Sequence, residues 1–141
     1  MTAIFLTSGS SWTVPSDWNN SSNSIEVIAG GGGGSNHAGG GGGGEYRKLT
    51  NVTLTPGASV SYSIGAGGSG GDSGSNGGDT WFSSTSFLKA VHGNGAATTT
   101  GGAGGSGGVG GTGNNGGTGQ SYTTGRFSGG GEIGRASCRE R

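Results

Sequence analysis

Apolar and polar residues alternate over short runs in the first ninety residues, which is the pattern of half-buried β-strands. Residues 24–28 place Ile25 and Val27 on one face and Glu26 and Ile28 on the other. Residues 51–55 and 60–64 alternate in the same way, and further strand candidates lie at residues 3–6, 12–14, 81–82 and 87–92. No stretch has helical periodicity. The pattern therefore predicts an all-β fold, with roughly six to eight short strands in one small antiparallel β-sandwich.

A different period governs the second part of the chain. Glycine occupies every third position of residues 101–119, and in all but one triplet, where Asn114 stands, the next position is glycine as well. A period of three belongs to the polyproline II helix, and the only prolines, Pro15 and Pro56, exclude collagen. We expect a bundle of polyglycine II helices whose amides pair with neighbouring helices of the same kind. The alternative is a flexible Gly/Ser linker.

The earlier glycine runs, at residues 30–34, 39–44 and 65–79, lie between predicted strands. They therefore leave the sandwich and return to it, so that their helices adjoin the sheets. Residues 101–119 would extend ~59 Å, whereas a compact chain of this size has a radius of gyration near ~14 Å. This segment must fold back, and Asn114–Asn115 or residues 97–100 are the candidate reversals.

These patterns divide the chain into three parts. Residues 1–96 are the β-sandwich with inserted glycine runs, and residues 97–131 are glycine-triplet helices of the same domain. Residues 132–141 read EIGRASCRER, and residues 133–141 match a translated sequencing adapter, so we interpret residues 132–141 as a non-native tail that ends a metagenomic fragment. A genuine basic terminus is the alternative, and the single Cys138 does not indicate a redox compartment in either case.

Composition narrows the classes of function. Of 141 residues, 40 are glycine and only 26% are hydrophobic, so order must rest largely on backbone hydrogen bonds. The formal net charge of zero argues against nucleic acid and anionic membranes as partners. No run approaches the ~20 apolar residues of a membrane span. The opening residues lack the basic and apolar regions of a signal peptide, which suits a virion protein released by lysis; a misplaced start codon or a missing upstream exon would look the same.

No constellation of catalytic or metal-binding residues stands out. His37 and His92 lack ligand-spaced companions, and the aspartates within residues 71–79 suit turns better than calcium. Glu26 and Glu45 could meet across strands, but nothing marks them as acid and base. A nucleophile elbow with a plausible base and a P-loop are both absent. The sequence therefore predicts no enzyme, cofactor or metal site.

The order of several motifs is distinctive: SWTVP at 11–15, IEVIA running into glycines at 25–34, glycines running into Glu45-Tyr46, VTLTPG at 52–57, and YSIGAGG at 62–68. Residues 4 to about 131 resemble the glycine-rich domain of bacteriophage tail-fibre and tail-tip proteins. The resemblance implies an extracellular adhesin of the virion tail. It would bind a bacterial surface protein or glycan through loops between glycine helices, and it would assemble with other tail-fibre proteins.

The family offers no invariant binding residue, so candidates follow from position in the predicted loops, which are residues 36–37, 72–76, 114–115 and 122–127. They are Asn36, His37, Ser75, Asn76, Asn114, Asn115, Tyr122, Arg126 and Phe127. No attachment domain is evident before the sandwich, and self-association is possible. A structural component of a virion or extracellular fibre is the alternative. A weaker alternative is an ice-binding protein that displays the row Ala103, Ser106, Val109 and Thr112.

Overall fold

The computed structural model describes residues 3–123, and within them the fold is all-β, with seven strands and no helix. The strands are β1 (Ser11–Thr13), β2 (Ser24–Ile28), β3 (Tyr46–Thr50), β4 (Ser59–Ser63), β5 (Thr80–Phe82), β6 (Leu88–Ala90) and β7 (Thr112–Asn114). They form two antiparallel sheets with the orders β1-β4-β5-β6 and β2-β3-β7. The predicted fold class is therefore confirmed.

The two sheets contribute to one small core. Val27 lies on β2, and Ala29 follows directly after it. Tyr62, Phe82 and Leu88 lie on strands of the other sheet. The Trp12 ring packs against the edge of this core, with its centroid 5.9 Å from that of the Phe82 ring. Alternation in β2 buries Val27 and leaves Ile28 outside, as its pattern predicts.

Two of the predicted strands were wrong. Residues 3–6 and 51–55 form no strand. Asn51 adopts a positive φ of 55°. The side chain of Asn23 forms hydrogen bonds with both main-chain polar groups of Val52: it accepts from the N–H at 2.8 Å and donates to the carbonyl oxygen at 3.0 Å. A side-chain amide thus replaces a neighbouring strand, while Val52 remains buried.

The glycine runs form seven extended segments beside the sheets. We number them I (residues 30–35), II (39–44), III (65–71), IV (74–78), V (93–97), VI (100–106) and VII (116–122). Neighbouring segments are joined by main-chain hydrogen bonds that recur at every third residue. Between I and II, for example, amides donate in the pairs Ala29 to Glu45, Gly32 to Gly42 and Ser35 to Gly39, at 3.0, 2.8 and 2.8 Å.

These hydrogen bonds arrange the segments in two rows, which we call the glycine array. The outer row runs III, I, II, VII, with bonds from Gly68 to Gly31, from Gly32 to Gly42 and from Gly43 to Gly117. The inner row runs IV, V, VI, with bonds from Gly77 to Gly93 and from Asn94 to Ala103. Each inner segment also bonds to two outer segments, so the rows interlock.

Residues 101–119 do fold back, but not at Asn114–Asn115. Segment VII runs antiparallel to segment VI, with amides of Gly116 and Gly119 bonded to carbonyls of Gly105 and Gly102. The reversal lies at residues 107–111, where Gly107, Gly110 and Gly111 take positive φ values of 80°, 80° and 56°. Glycine tolerates this region better than asparagine. The row proposed for ice binding is therefore interrupted after Ser106, because Val109 lies in the reversal and Thr112 begins β7.

The other candidate reversal, residues 97–100, does form a turn. Ala97 and Thr100 exchange main-chain hydrogen bonds of 3.0 and 2.7 Å, and Thr98 takes a φ of 44°. This turn joins segments V and VI at the end of the array far from the sheets.

Candidate binding surface

Loops gather at that far end of the glycine array, which we call the loop end. It comprises residues 35–38 between segments I and II, residues 71–74 between III and IV, residues 97–100, and Ser121–Tyr122. Its loops are bound to one another by hydrogen bonds. The Asn36 Nδ2 donates to Asp72 Oδ1 at 3.2 Å, and the His37 Nδ1 lies 3.4 Å from the Asp72 carbonyl oxygen.

Main-chain groups complete the connection between the loops. The Ser35 hydroxyl donates to the Thr98 carbonyl oxygen and accepts from the Gly39 amide at 3.0 Å. The Tyr122 amide donates to the Thr99 carbonyl oxygen at 2.7 Å. Backbone that would otherwise be exposed and mobile is therefore held in one arrangement.

The chemistry of the loop end is polar and nearly uncharged. Within the described residues of these loops, Asp72 is the only residue with a formal charge when His37 is neutral. Apart from the His37 imidazole and the Ala97 methyl group, the other exposed side chains are hydroxyls and amides, from Asn36, Ser73, Thr98–Thr100 and Ser121. Such groups donate and accept hydrogen bonds without a requirement for a charged ligand.

The structure brings together only some of the predicted binding residues. Asn36 and His37 lie in one loop of the loop end, and Tyr122 joins them through residues 97–100. Asn114 and Asn115 lie at the opposite end, next to the sheets, where Asn114 pairs with Tyr46. Arg126 and Phe127 lie outside the described residues.

Ser75 and Asn76 lie on segment IV rather than in a loop, and they make structural contacts. The Ser75 Oγ accepts from the Ser69 amide at 2.8 Å, and the Asn76 Oδ1 accepts from the Gly95 amide at 2.9 Å. Asp72, in the predicted loop 72–76, does lie at the loop end, whereas Thr98–Thr99 were missed as binding candidates. The signal was present, since the sequence marks residues 97–100 as a break between glycine segments.

Two acidic side chains brace the junction between the array and the sheets. Glu45 is fully buried; its Oε1 accepts from Arg47 Nε at 2.8 Å, and its Oε2 accepts from the amides of Val91 and Gly108 at 3.0 and 2.9 Å. Glu45 thereby ties β3, the residue that follows β6, and the 107–111 reversal together. It does not meet Glu26, which instead pairs with Lys48 at 2.8 Å on the surface.

Asp79 forms the second brace. Its Oδ1 accepts from the main-chain amide of His92 at 3.0 Å and lies 2.6 Å from the His92 Nδ1, while Lys89 Nζ lies 3.5 Å from Oδ2. Burial by itself raises the pKa of Asp79, but the hydrogen bonds from His92 and the nearby positive charges lower this pKa below its ordinary value. His92 is thus occupied by a structural contact.

Residues 3–123 contain no group of three or more His, Cys, Asp and Glu side chains placed to hold a metal ion. The same part of the chain has no helix of the length and hydrophobicity required to cross a membrane. In the comparisons with known proteins, the family model described as "Glycine-rich domain" matches residues 6–139. No curated protein and no solved structure matches the chain significantly.

Proposed function

The chain belongs to the glycine-rich domain family, and we propose that it is a rigid binding module whose loop end recognises a bacterial surface receptor. In this proposal the seven glycine segments are polyglycine II helices. The three-residue recurrence of their hydrogen bonds supports this assignment, because a strand ladder has a period of two. The module would act at the tip or along the fibre of a phage tail, as the order of motifs along the chain suggests.

The observation that carries the proposal is the convergence of the loops on one end of a densely bonded array. Loops on a rigid scaffold are where proteins commonly place binding residues. Preorganised loops also lose less conformational entropy when a ligand binds. The hydroxyl and amide groups of the loop end suit a neutral polar ligand, and the sugars of a bacterial surface glycan are of that kind.

The test compares the loop end with another exposed surface of the same array. The variant Asn36→Ala/His37→Ala removes two loop side chains, and Asn94→Ala removes an exposed amide from the middle of segment V. Binding to a panel of purified bacterial envelopes is measured by surface plasmon resonance, with circular dichroism confirming that each variant is folded. Losing two hydrogen bonds of about 1 kcal/mol each weakens binding by roughly tenfold or more.

We expect Asn94→Ala to bind like the parent protein. Equal binding by the parent and the loop variant would overturn the loop end as the recognition surface. If the parent bound no envelope in the panel, the alternative would be favoured, namely a structural component that sets the stiffness of a virion or extracellular fibre. A further variant, Tyr122→Ala, tests whether the end of segment VII contributes to the same surface.

A further inference from the structure

In the outer row of the glycine array, some main-chain groups form no hydrogen bond with the neighbouring segments. A segment with a three-residue period has three columns of amides. In segment I, one column donates to segment II and a second donates to segment IV. The third column, Gly31 and Gly34, donates to no acceptor among residues 3–123, and neither do Gly41 and Gly44 in segment II.

Acceptors lie beside these donors. Within the described residues, the carbonyl oxygens of Gly32 and Gly41 receive no hydrogen bond. A Cβ added at Gly31 or Gly34 would approach nothing more closely than 3.3 Å, whereas one at Gly33 would lie 2.0 Å from the Ser69 carbonyl oxygen. Gly31 and Gly34 therefore face outward, away from the inner row.

An apolar surface continues from this face toward the sheets. Ile28 and Ile64, three residues before Gly31 and Gly67, are 66% and 38% exposed. They line an open groove of about 640 Å³ between the N-terminal segment and the sheets, together with Ile4 and Phe5, which are 53% and 86% exposed. Exposed apolar surface of this extent is typical of a protein interface.

We propose that this combined face, which we call the outer face, is the interface of a two-fold symmetric dimer with a second copy of the chain. Main-chain carbonyl groups at the same three-residue spacing would pair with these columns of amides in register, and the outer face of another copy presents such groups. The inner and outer rows already pack against each other through groups of this kind within one chain. A two-fold dimer requires a self-complementary patch, and donors beside acceptors provide it.

The available area agrees with a dimer of moderate affinity. Four segments about 19 Å long and spaced by about 4.8 Å present roughly 360 Å². The four exposed apolar side chains add on the order of 400 Å². The total is near the ~800 Å² per partner of a standard protein interface.

Analytical ultracentrifugation of the protein, from micromolar to millimolar concentration, tests the proposal. The variant Gly31→Ala/Gly34→Ala places methyl groups on the outer face, each 3.3 Å from a carbonyl oxygen of segment II, which requires a shift of a few tenths of an ångström. Ile28→Ser instead removes apolar contact without adding atoms to the array. We expect each to raise the dimer dissociation constant at least tenfold while the melting temperature changes little. The matched control is Ala103→Ser, at an exposed position of segment VI on the opposite row.

A parent protein that stays monomeric throughout this range would overturn the proposal. So would a dimer that persists unchanged in the double glycine variant, because the amide columns would then lie outside the interface. These results are independent of envelope binding, since the loop end and the outer face are different surfaces. The double alanine variant should accordingly bind envelopes as the parent does at matched monomer concentration.

Discussion

Replacing Glu45 by alanine is expected to destabilise the whole fold more than any comparable change at an acidic surface residue. The side chain is fully buried and accepts three hydrogen bonds from three separate elements. Alanine leaves the amides of Val91 and Gly108 without their acceptor and removes the charge opposite Arg47.

The magnitude follows from those three partners. A buried donor left unsatisfied costs about 1–3 kcal/mol, and two amides are affected. Breaking a buried ion pair by removing one member costs about 3–5 kcal/mol. The terms overlap, and Arg47 retains 19% side-chain exposure and can gain some hydration. We therefore expect a loss of about 3–5 kcal/mol, a large part of the ~5–15 kcal/mol of a typical domain.

Urea denaturation monitored by tryptophan fluorescence and circular dichroism measures this loss. Glu26→Ala is the matched control, because Glu26 also contacts a basic side chain at 2.8 Å but is 45% exposed, and surface pairs of this kind contribute little. Glu45→Gln keeps the shape and should recover part of the stability. A loss below ~1 kcal/mol for Glu45→Ala would refute the assignment of Glu45 as the brace of the junction.

Further predictions concern the array, the second brace and the N-terminal segment. Gly33→Ala should cost about 3 kcal/mol or more by overpacking against a main-chain oxygen, whereas Gly117→Ala, whose Cβ would meet nothing within 4 Å, should leave the melting temperature unchanged. Because the folded-state pKa of Asp79 is depressed, its ionisation adds stability above the ordinary pKa, and this is lost as pH falls through the folded value. Asp79→Asn should therefore flatten the dependence of unfolding free energy on pH below about pH 4. Tyr62→Phe removes the 2.6 Å hydrogen bond to the Ser8 carbonyl and should cost about 1 kcal/mol and hasten proteolysis of the N-terminal segment.

The parts of the fold that were predictable are those in which side-chain pattern and backbone pairing agree. In β2 the alternation of Ile25 and Val27 with Glu26 matches its buried and exposed faces. In segments VI and VII the glycine triplets likewise have a period that equals the spacing of their hydrogen bonds, although the same triplets continue through the reversal at 107–111. In both places the local sequence carries the information that sets the structure.

Strands β3 and β7 were not predictable on this basis. In β3, the charged residues Arg47 and Lys48 interrupt any apolar alternation. Each forms an ion pair with a carboxylate, Glu45 and Glu26 respectively, and the sequence alone does not show these pairs. Strand β7 is exposed throughout and exists because it pairs with β3. The convergence at the loop end was equally hidden, since it depends on which segments become neighbours across more than sixty residues, as for Ser35 and Thr98.

The sandwich and the glycine array form one continuous hydrogen-bonded structure. The ladder between β2 and β3 ends with Ile28 opposite Tyr46, and the next bond, from Ala29 to Glu45, is already the first of the three-residue series between segments I and II. Ordering glycine is entropically costly, and the array has little apolar surface to offset it. Its register is therefore set where it leaves the sheets, at the position that Glu45 braces. The orientation of the loop end is consequently determined at the far side of the molecule, because each segment reaches its loop from a strand or turn anchored in the sandwich.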